Sequence, residues 1–382
     1  MNKIVQFGAG NIGRGFVGQL SSQSGWETVF IDIDETLLNA INERGTYDIH
    51  IVDKNTYRIS VTNIRAVDGR NIDQVAEELA TADLVSTAVG ANIIRHIAAP
   101  ICRGIEKRSQ LPAPRPLNIL LCENLLHAAA IMREHLAAEI AEEAMNFLAS
   151  QVGLTETVIG RMVPIVPEEK KKEDPLYIAV EEFAILPIDA NAIIGPCPDI
   201  KGLDPEPNLF AFEERKLFTH NCGHMLCALW GYERGYEFLW EAADDEDIRS
   251  STLAAMQETG EALVKKHGFD PLDYQAHTED LVERFRNKAL GDTIARVARD
   301  PIRKLGPNDR LIGAANLCME QGIEPAHLVQ GIISAIRYDP PEDPGAIELQ
   351  NQMNEDGLET VLKNICQLEP DSALFKMIVK RF

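Results

Sequence analysis

QFGAGNIGRGF, residues 6–16, is the stretch whose reading decides the fold. It overlaps the end of a short β-rich run, KIVQF at residues 3–7, and leads into NIGRGFVGQLSSQS, which reads as a helix ending near Gly25. Gly8, Gly10 and Gly13 fit G-x-G-x-x-G after a strand and at the opening of a helix, the context a dinucleotide fingerprint requires. Gly8 permits the tight turn, Gly10 lets the backbone approach a pyrophosphate, and Gly13 allows helix and strand to pack closely. The helix N-terminus, at Asn11 and Ile12, supplies N–H donors and positive dipole to the phosphates.

The fingerprint also needs a carboxylate about 20 residues on, at the end of the second strand, to accept hydrogen bonds from a ribose. ETVFIDID, residues 27–34, reads as that strand and places Asp32 there, with Asp34 as a rival. A carboxylate repels the extra phosphate of NADP, so NAD is the favoured cofactor. The plain alternative is a tight turn with packing glycines and no ligand.

Outward from the loop, ADLVSTAVG (82–90) and LNILLCEN (117–124) read as further strands, with helical NIIRHIAAPICRGIEKR between them. Strands alternating with helices predict a parallel, doubly wound sheet, a Rossmann-type α/β domain. Residues 48–67 alternate like antiparallel strands and are read as an insertion. Residues 158–185 suggest more strands around EEKKKED, a solvated loop. Residues 186–208 concentrate Pro, Gly and Asp, as a connection between domains does. Beyond them the spacing is helical, so a mostly α-helical domain is expected. The expected division is an NAD-binding Rossmann domain at 1–190 and an α-helical substrate and catalytic domain at 191–382.

Thirty-seven Lys and Arg against 59 Asp and Glu give a net charge of −22, which disfavours nucleic acid and anionic membrane surfaces as partners. The seven cysteines are scattered, several in apolar runs, as reduced buried thiols are in a cytoplasmic protein. The apolar start is too short for a signal peptide, and no uncharged apolar run is long enough to span a membrane. The ligand is then a small molecule, and an anionic one needs a local cationic site.

Alcohol dehydrogenation needs a base for the hydroxyl proton and donors for the oxygen, while the cofactor takes the hydride. RKLFTHNCGHM, residues 215–225, offers Lys216, Asn221 and His224. At about 100° per helical residue Asn221 and His224 share a face, with Lys216 in reach through its long side chain. By itself this spacing is weak evidence, since such a lysine is more often a solvated surface residue and such a histidine a hydrogen-bonded structural one.

K-x-x-x-x-N-x-x-H from Lys216, FGAGNIGRGF, LVSTAVG, the CEN of residues 122–124, RVARDPIRKL and NDRL occur in one order from residue 7 to about 311. Together they resemble the polyol-specific long-chain dehydrogenases, the mannitol dehydrogenase family. The resemblance implies NAD-dependent hydride transfer between mannitol 1-phosphate and fructose 6-phosphate, with Lys216 as general acid and base. Asn124 and Asn221 would then form the oxyanion site, and His224 would bind the reacting oxygen or orient substrate. It also implies a monomer or weak oligomer. Reduction of a hexuronate such as fructuronate or tagaturonate, or oxidation of unphosphorylated mannitol, stays open within the family. A nucleotide-sensing regulator is the non-enzyme alternative.

Three departures stand out: Gly160 in IGRMVP where relatives read VDRIVP, His220 and Cys222 inside the catalytic run, and RFRNKAL without the usual proline. RVARDPIRKLGPNDR, residues 296–310, sets five basic residues against two acidic ones in a strongly acidic chain. Arg299, Arg303, Lys304 and Arg310 are therefore candidates for a substrate phosphate, or else a solvated helix end. No pair has familiar zinc-ligand spacing, so no metal is expected.

Overall fold

The computed structural model describes residues 1–53, 55–125, 127–164 and 166–382. The chain folds as two units, Met1–Leu209 and Phe210–Phe382. The first contains the strands β1 (Lys3–Phe7), β2 (Glu27–Asp32), β3 (Tyr47–Val52), β4 (Thr56–Val61), β5 (Ile64–Asp68), β6 (Leu84–Thr87), β7 (Leu117–Leu121), β8 (Val152–Glu156), β9 (Ile178–Val180), β10 (Leu186–Asp189) and β11 (Leu203–Glu206).

Six of these form one sheet in the order β5-β2-β1-β6-β7-β8, every pair parallel. Its strands are apolar on both faces, as β7 with all five residues buried shows, because helices cover both sides. One face packs Val5, Val29, Ile119 and Leu121 against Val75, Leu79, Ile101 and Ile105 of the helices Ile72–Thr81 and Ala98–Ser109. The other packs Ile4, Leu84 and Leu120 against Phe16, Leu20 and Trp26. Strand order reverses between β1 and β6, the point outside whose carboxyl ends such sheets bind ligands.

The region 48–67 resolves into two different structures. β3 and β4 are the expected antiparallel hairpin, but Ile64–Asp68 is β5, the parallel edge strand hydrogen-bonded to β2. Alternation cannot separate these, because an edge strand in a covered sheet and a half-exposed hairpin both bury every second residue. β3 also pairs in parallel with β9, giving a second, three-stranded sheet. EEKKKED is solvated as expected but forms a short helix, Glu168–Glu173, with the i,i+3 ion pairs Lys170–Glu173 and Lys171–Glu168.

The break between units falls later than the expected boundary at 190. The Pro- and Gly-rich segment belongs to the first unit, where β10 and β11 pair in parallel and Ile188 bridges Thr157 just beyond β8. Local turn chemistry marks an irregular path; only the contacts of that path show which unit it joins.

The second unit is helical, and among the described residues it contains no strand. At its centre Cys222–Arg234 buries Met225, Leu226, Ala228 and Leu229, with Glu246–His267, Ile294–Ala298 and Ala326–Arg337 packed around it. Among the described residues no helix is long and apolar enough to cross a membrane. All seven cysteines are unpaired, and six are buried.

Candidate active site

In the first unit the glycine loop is fixed by backbone. Gly8 adopts φ +86°, its N–H donates to Ile31 O at 2.8 Å, and a Cβ there would stand 2.4 Å from Ala88 O. A Cβ on Gly13 would stand 1.9 Å from Gly8 O, so neither position accepts a side chain without moving the strand–helix junction. Around Gly10 nothing lies within 4 Å of such an atom, which leaves the loop open to an approaching ligand. A cavity of about 450 Å³ opens there, at the switch point, lined among others by Gly8, Gly10, Asp32, Ile33, Ala88 and Val89. Its size and position suit a nucleotide.

The two acidic rivals separate cleanly. Asp32 lines the cavity, where it accepts the N–H groups of Ala9 at 2.7 Å, Ile33 at 2.7 Å and Asp34 at 3.1 Å. Those bonds use both lone pairs of Oδ1 and one of Oδ2, so Oδ2 keeps acceptor capacity for a ribose hydroxyl. Asp34 instead caps the helix Glu35–Arg44 through the N–H groups of Thr36 and Leu37. Asn11 and Ile12 begin the helix that follows the loop. Arg14 turns inward, donating to Ala9 O at 2.6 Å and Leu176 O at 2.8 Å, and burial lowers its pKa.

Asn124 is exposed beyond the carboxyl end of β7. Its neighbour Glu123, which the sequence reading passed over, is buried and accepts the N–H groups of Val89 at 3.0 Å and Gly90 at 2.8 Å. It thereby holds the loop after β6 that walls the cofactor cavity. Gly160, half-buried, has the ring of Phe183 where a side chain would go: a Cβ would meet Cε1 at 3.2 Å.

In the second unit Lys216–Asn221 is a π-helical segment within a continuous helix, marked by the N–H of Cys222 donating to Leu217 O, five residues back. Residues five apart diverge by about 140° on an α-helix, but by less in a turn closed from i to i+5. The π-turn therefore narrows the angle between Lys216 and Asn221 below that of α-helical spacing. Its midpoint is tied down: the Thr219 hydroxyl makes a short hydrogen bond with that of Tyr274 and lies 3.4 Å from that of Thr259.

Lys216 is half-buried, and desolvation together with Arg310 lowers its pKa to about 8 against the opposing pull of Glu213. Most of the ammonium's advantage over the free amine is gone, as a group that must both take and give a proton requires. His224 meets Asp292, Nε2 to Oδ2, at 3.2 Å, and packs on Phe285 with ring centroids 5.0 Å apart. Burial and the cations Arg296, Arg310, Lys304 and Arg284 push its pKa down to about 3, so the ring is neutral near pH 7. His220 is buried beside it, 6.1 Å between centroids, and is also held neutral.

The basic stretch divides. Arg310, half-buried, pairs with Asp309 at 2.9 Å and faces the catalytic run closely enough to depress both Lys216 and His224. Lys304 is buried, donates to Val297 O at 2.6 Å, and has its pKa lowered to about 7 by desolvation, Arg310 and Arg303. Arg303 is exposed, with Asp300 and Asp309 each at 2.9 Å, and Arg299 is exposed after the helix Ile294–Ala298. Among the described residues no group of three or more His, Cys, Asp and Glu is placed to hold a metal.

Residues 2–202 match the family described as Mannitol dehydrogenase Rossmann domain, and residues 208–381 the Mannitol dehydrogenase C-terminal domain. The chain belongs to the mannitol dehydrogenase family. It is 37% identical over 376 residues to a mannitol-1-phosphate 5-dehydrogenase of Bacillus licheniformis, covering 98% of each chain. It is 40% identical over 360 residues to one of Brevibacillus brevis, covering 94% of this chain and 92% of that one. Two solved structures share the fold. A Pseudomonas fluorescens mannitol 2-dehydrogenase in ternary complex with NAD and D-mannitol superposes with TM-score 0.72 at 17% identity, over 99% of this chain and 90% of that one. A substrate-free D-sorbitol dehydrogenase reaches TM-score 0.82 at 15% identity, over 99% and 91%. As a mannitol dehydrogenase family member the chain is an oxidoreductase that uses a nucleotide cofactor, for which the switch-point cavity is shaped.

Proposed function

We propose that this chain is an NAD-dependent dehydrogenase interconverting mannitol 1-phosphate and fructose 6-phosphate in the cytoplasm. The observation that carries the chemistry is Lys216, its pKa lowered to about 8 on a π-turn that also carries Asn221. Near-full-length similarity to mannitol-1-phosphate 5-dehydrogenases supports the substrate.

Held by the cavity at Gly8, Gly10 and Asp32, a nicotinamide cofactor would supply the hydride acceptor for oxidation and the hydride donor for reduction. Neutral Lys216 takes the hydroxyl proton in oxidation, and its ammonium gives that proton back to the carbonyl oxygen in reduction. The side-chain amide of Asn221 donates a hydrogen bond to that oxygen as its charge changes. Asp32 receives a ribose hydroxyl through the acceptor capacity left on Oδ2 and repels a 2′-phosphate. Arg310 and Lys304, beside the catalytic run, with Arg299 and Arg303 further out, supply the positive charge for a substrate phosphate.

The test is NADH oxidation with fructose 6-phosphate, fructose and fructuronate in parallel, with NADPH as cofactor control. A large preference for fructose 6-phosphate with NADH is the expected result. Preference for fructuronate would reassign the basic residues to a carboxylate, and preference for fructose would return them to a structural role.

A further inference from the structure

Asp292 stands 68 positions from His224 in sequence and was not singled out by any motif. It lies just before the helix Ile294–Ala298, whose N-cap is Thr293, and its backbone carbonyl accepts the Leu239 N–H at 2.8 Å. Its two carboxylate oxygens are divided: Oδ1 is ion-paired with Arg296, and Oδ2 faces Nε2 of His224 at 3.2 Å. The side chain is buried, so water does not compete freely for these bonds.

A carboxylate paired with a guanidinium can only accept. The hydrogen between Oδ2 and His224 must therefore sit on Nε2. A neutral imidazole carries one ring hydrogen, so Nδ1 is left with a lone pair and no hydrogen. Among the described residues no hydrogen bond engages Nδ1. The groups surrounding the ring from neighbouring elements are the guanidiniums of Arg284, Arg296 and Arg310 and the amine of Lys304, whose own pKa is lowered to about 7, and His220 beside it is neutral, so a second ring proton is disfavoured.

We propose that Asp292 is a positioning residue that fixes His224 as its Nε2–H tautomer, so that His224 accepts a hydrogen bond from a substrate hydroxyl through Nδ1. The inference rests on the dehydrogenase reading and narrows it. A ketone oxygen offers no hydrogen to an acceptor, so in reduction His224 does not bind the reacting oxygen. That oxygen is left to Lys216 and Asn221, while His224 takes a hydroxyl on a neighbouring carbon of the same polyol chain. A ligand lacking that hydroxyl strands a buried acceptor and loses affinity.

The tautomer is read without substrate, from the two-bond ¹⁵N–¹H correlations of the nine histidines labelled with ¹⁵N, His224 being assigned by its loss in His224→Asn. The Nε2–H pattern, unchanged from pH 6 to 9, is expected. An Nδ1–H pattern or an imidazolium at neutral pH would overturn the proposal. Asp292→Asn can donate its amide to Nε2 and so permits the opposite tautomer. It is expected to move the His224 signals and lower kcat/KM for fructose 6-phosphate about 10- to 100-fold, with NADH affinity retained and partial recovery in Asp292→Glu. Unchanged tautomer and unchanged kcat/KM in Asp292→Asn would reject the role. Turnover surviving in Lys216→Ala, by contrast, would fail the dehydrogenase mechanism while leaving the tautomer result standing.

Discussion

Among the described residues two helices contain a π-turn, and the two turns are built for opposite purposes. In the first unit Gly13–Val17 carries the bond from the Gly18 N–H to Gly13 O, and its side is lined by glycines. A Cβ on Gly15 would stand 2.9 Å from Val180, and one on Gly18 would stand 2.4 Å from the Tyr47 hydroxyl. The missing side chains at Gly15 and Gly18 let the helix press onto β9 and β3, while Arg14 and the Tyr47 hydroxyl tie the turn in place and keep its N-terminus beside the nucleotide cavity. In the second unit Lys216–Asn221 works through its side chains, carrying Lys216 and Asn221 on one π-turn and anchoring Thr219 to Tyr274. A site made by backbone leaves its mark as missing side chains at fixed spacing. A site made by side chains depends on helical phase, which spacing alone misjudges.

Deleting the working side chain of the second turn should have the largest effect. Lys216→Ala is expected to lower turnover about 10²- to 10⁴-fold, the usual worth of a positioned acid–base group, while nucleotide binding measured by NADH fluorescence is unchanged. Loss of both together would show that the two turns are not separable in this way. Adding a side chain to the first turn is the converse experiment. Gly13→Ala places a methyl 1.9 Å from Gly8 O, and a displaced loop should weaken NADH binding about ten- to a hundredfold. A Gly13→Ala protein that binds NADH normally would show that the close approach is not required.

The difference also explains what was legible in the sequence. The loop, the parallel sheet and Asp32 could be read because strand, glycine spacing and carboxylate follow one another locally, and the rival Asp34 is resolved by its capping bonds. The helical second half could be read from periodicity. β5 was hidden by alternation it shares with the preceding hairpin, and β8 follows the helix Met145–Gln151 with no intervening turn signal. In the catalytic run the resemblance supplied the candidate residues, but the π-turn that carries Lys216 and Asn221 was not legible. Glu123, Tyr274 and Asp292 act by bonds to distant segments, so no local pattern marks them. Lys304 reads as one of four equivalent cations, yet burial makes it the one committed to a backbone carbonyl.

The smallest expected effect is the one that separates alignment from chemistry. Lys216 has its pKa lowered to about 8, so oxidation, which needs the free amine, should rise through about pH 8 and level above it. Reduction, which needs the ammonium, should fall over the same interval. Arg310 favours the free amine and Glu213 opposes it, and neither is altered by removing the hydroxyl of Tyr274. Tyr274→Phe keeps the ring packed on Gly260 but releases Thr219 at the middle of the π-turn. One hydrogen bond of ordinary worth predicts a loss of about three- to tenfold in kcat. The sign of the accompanying pH shift is fixed by the cause of the lowered pKa. A loosened turn admits water to Lys216, relieves its desolvation and moves its pKa back up, so the oxidation limb should shift to higher pH. A lower kcat with an unmoved limb would mean that Tyr274 orients Lys216 without controlling its solvation. No change in either would mean that the Thr219–Tyr274 bond does not hold the π-turn.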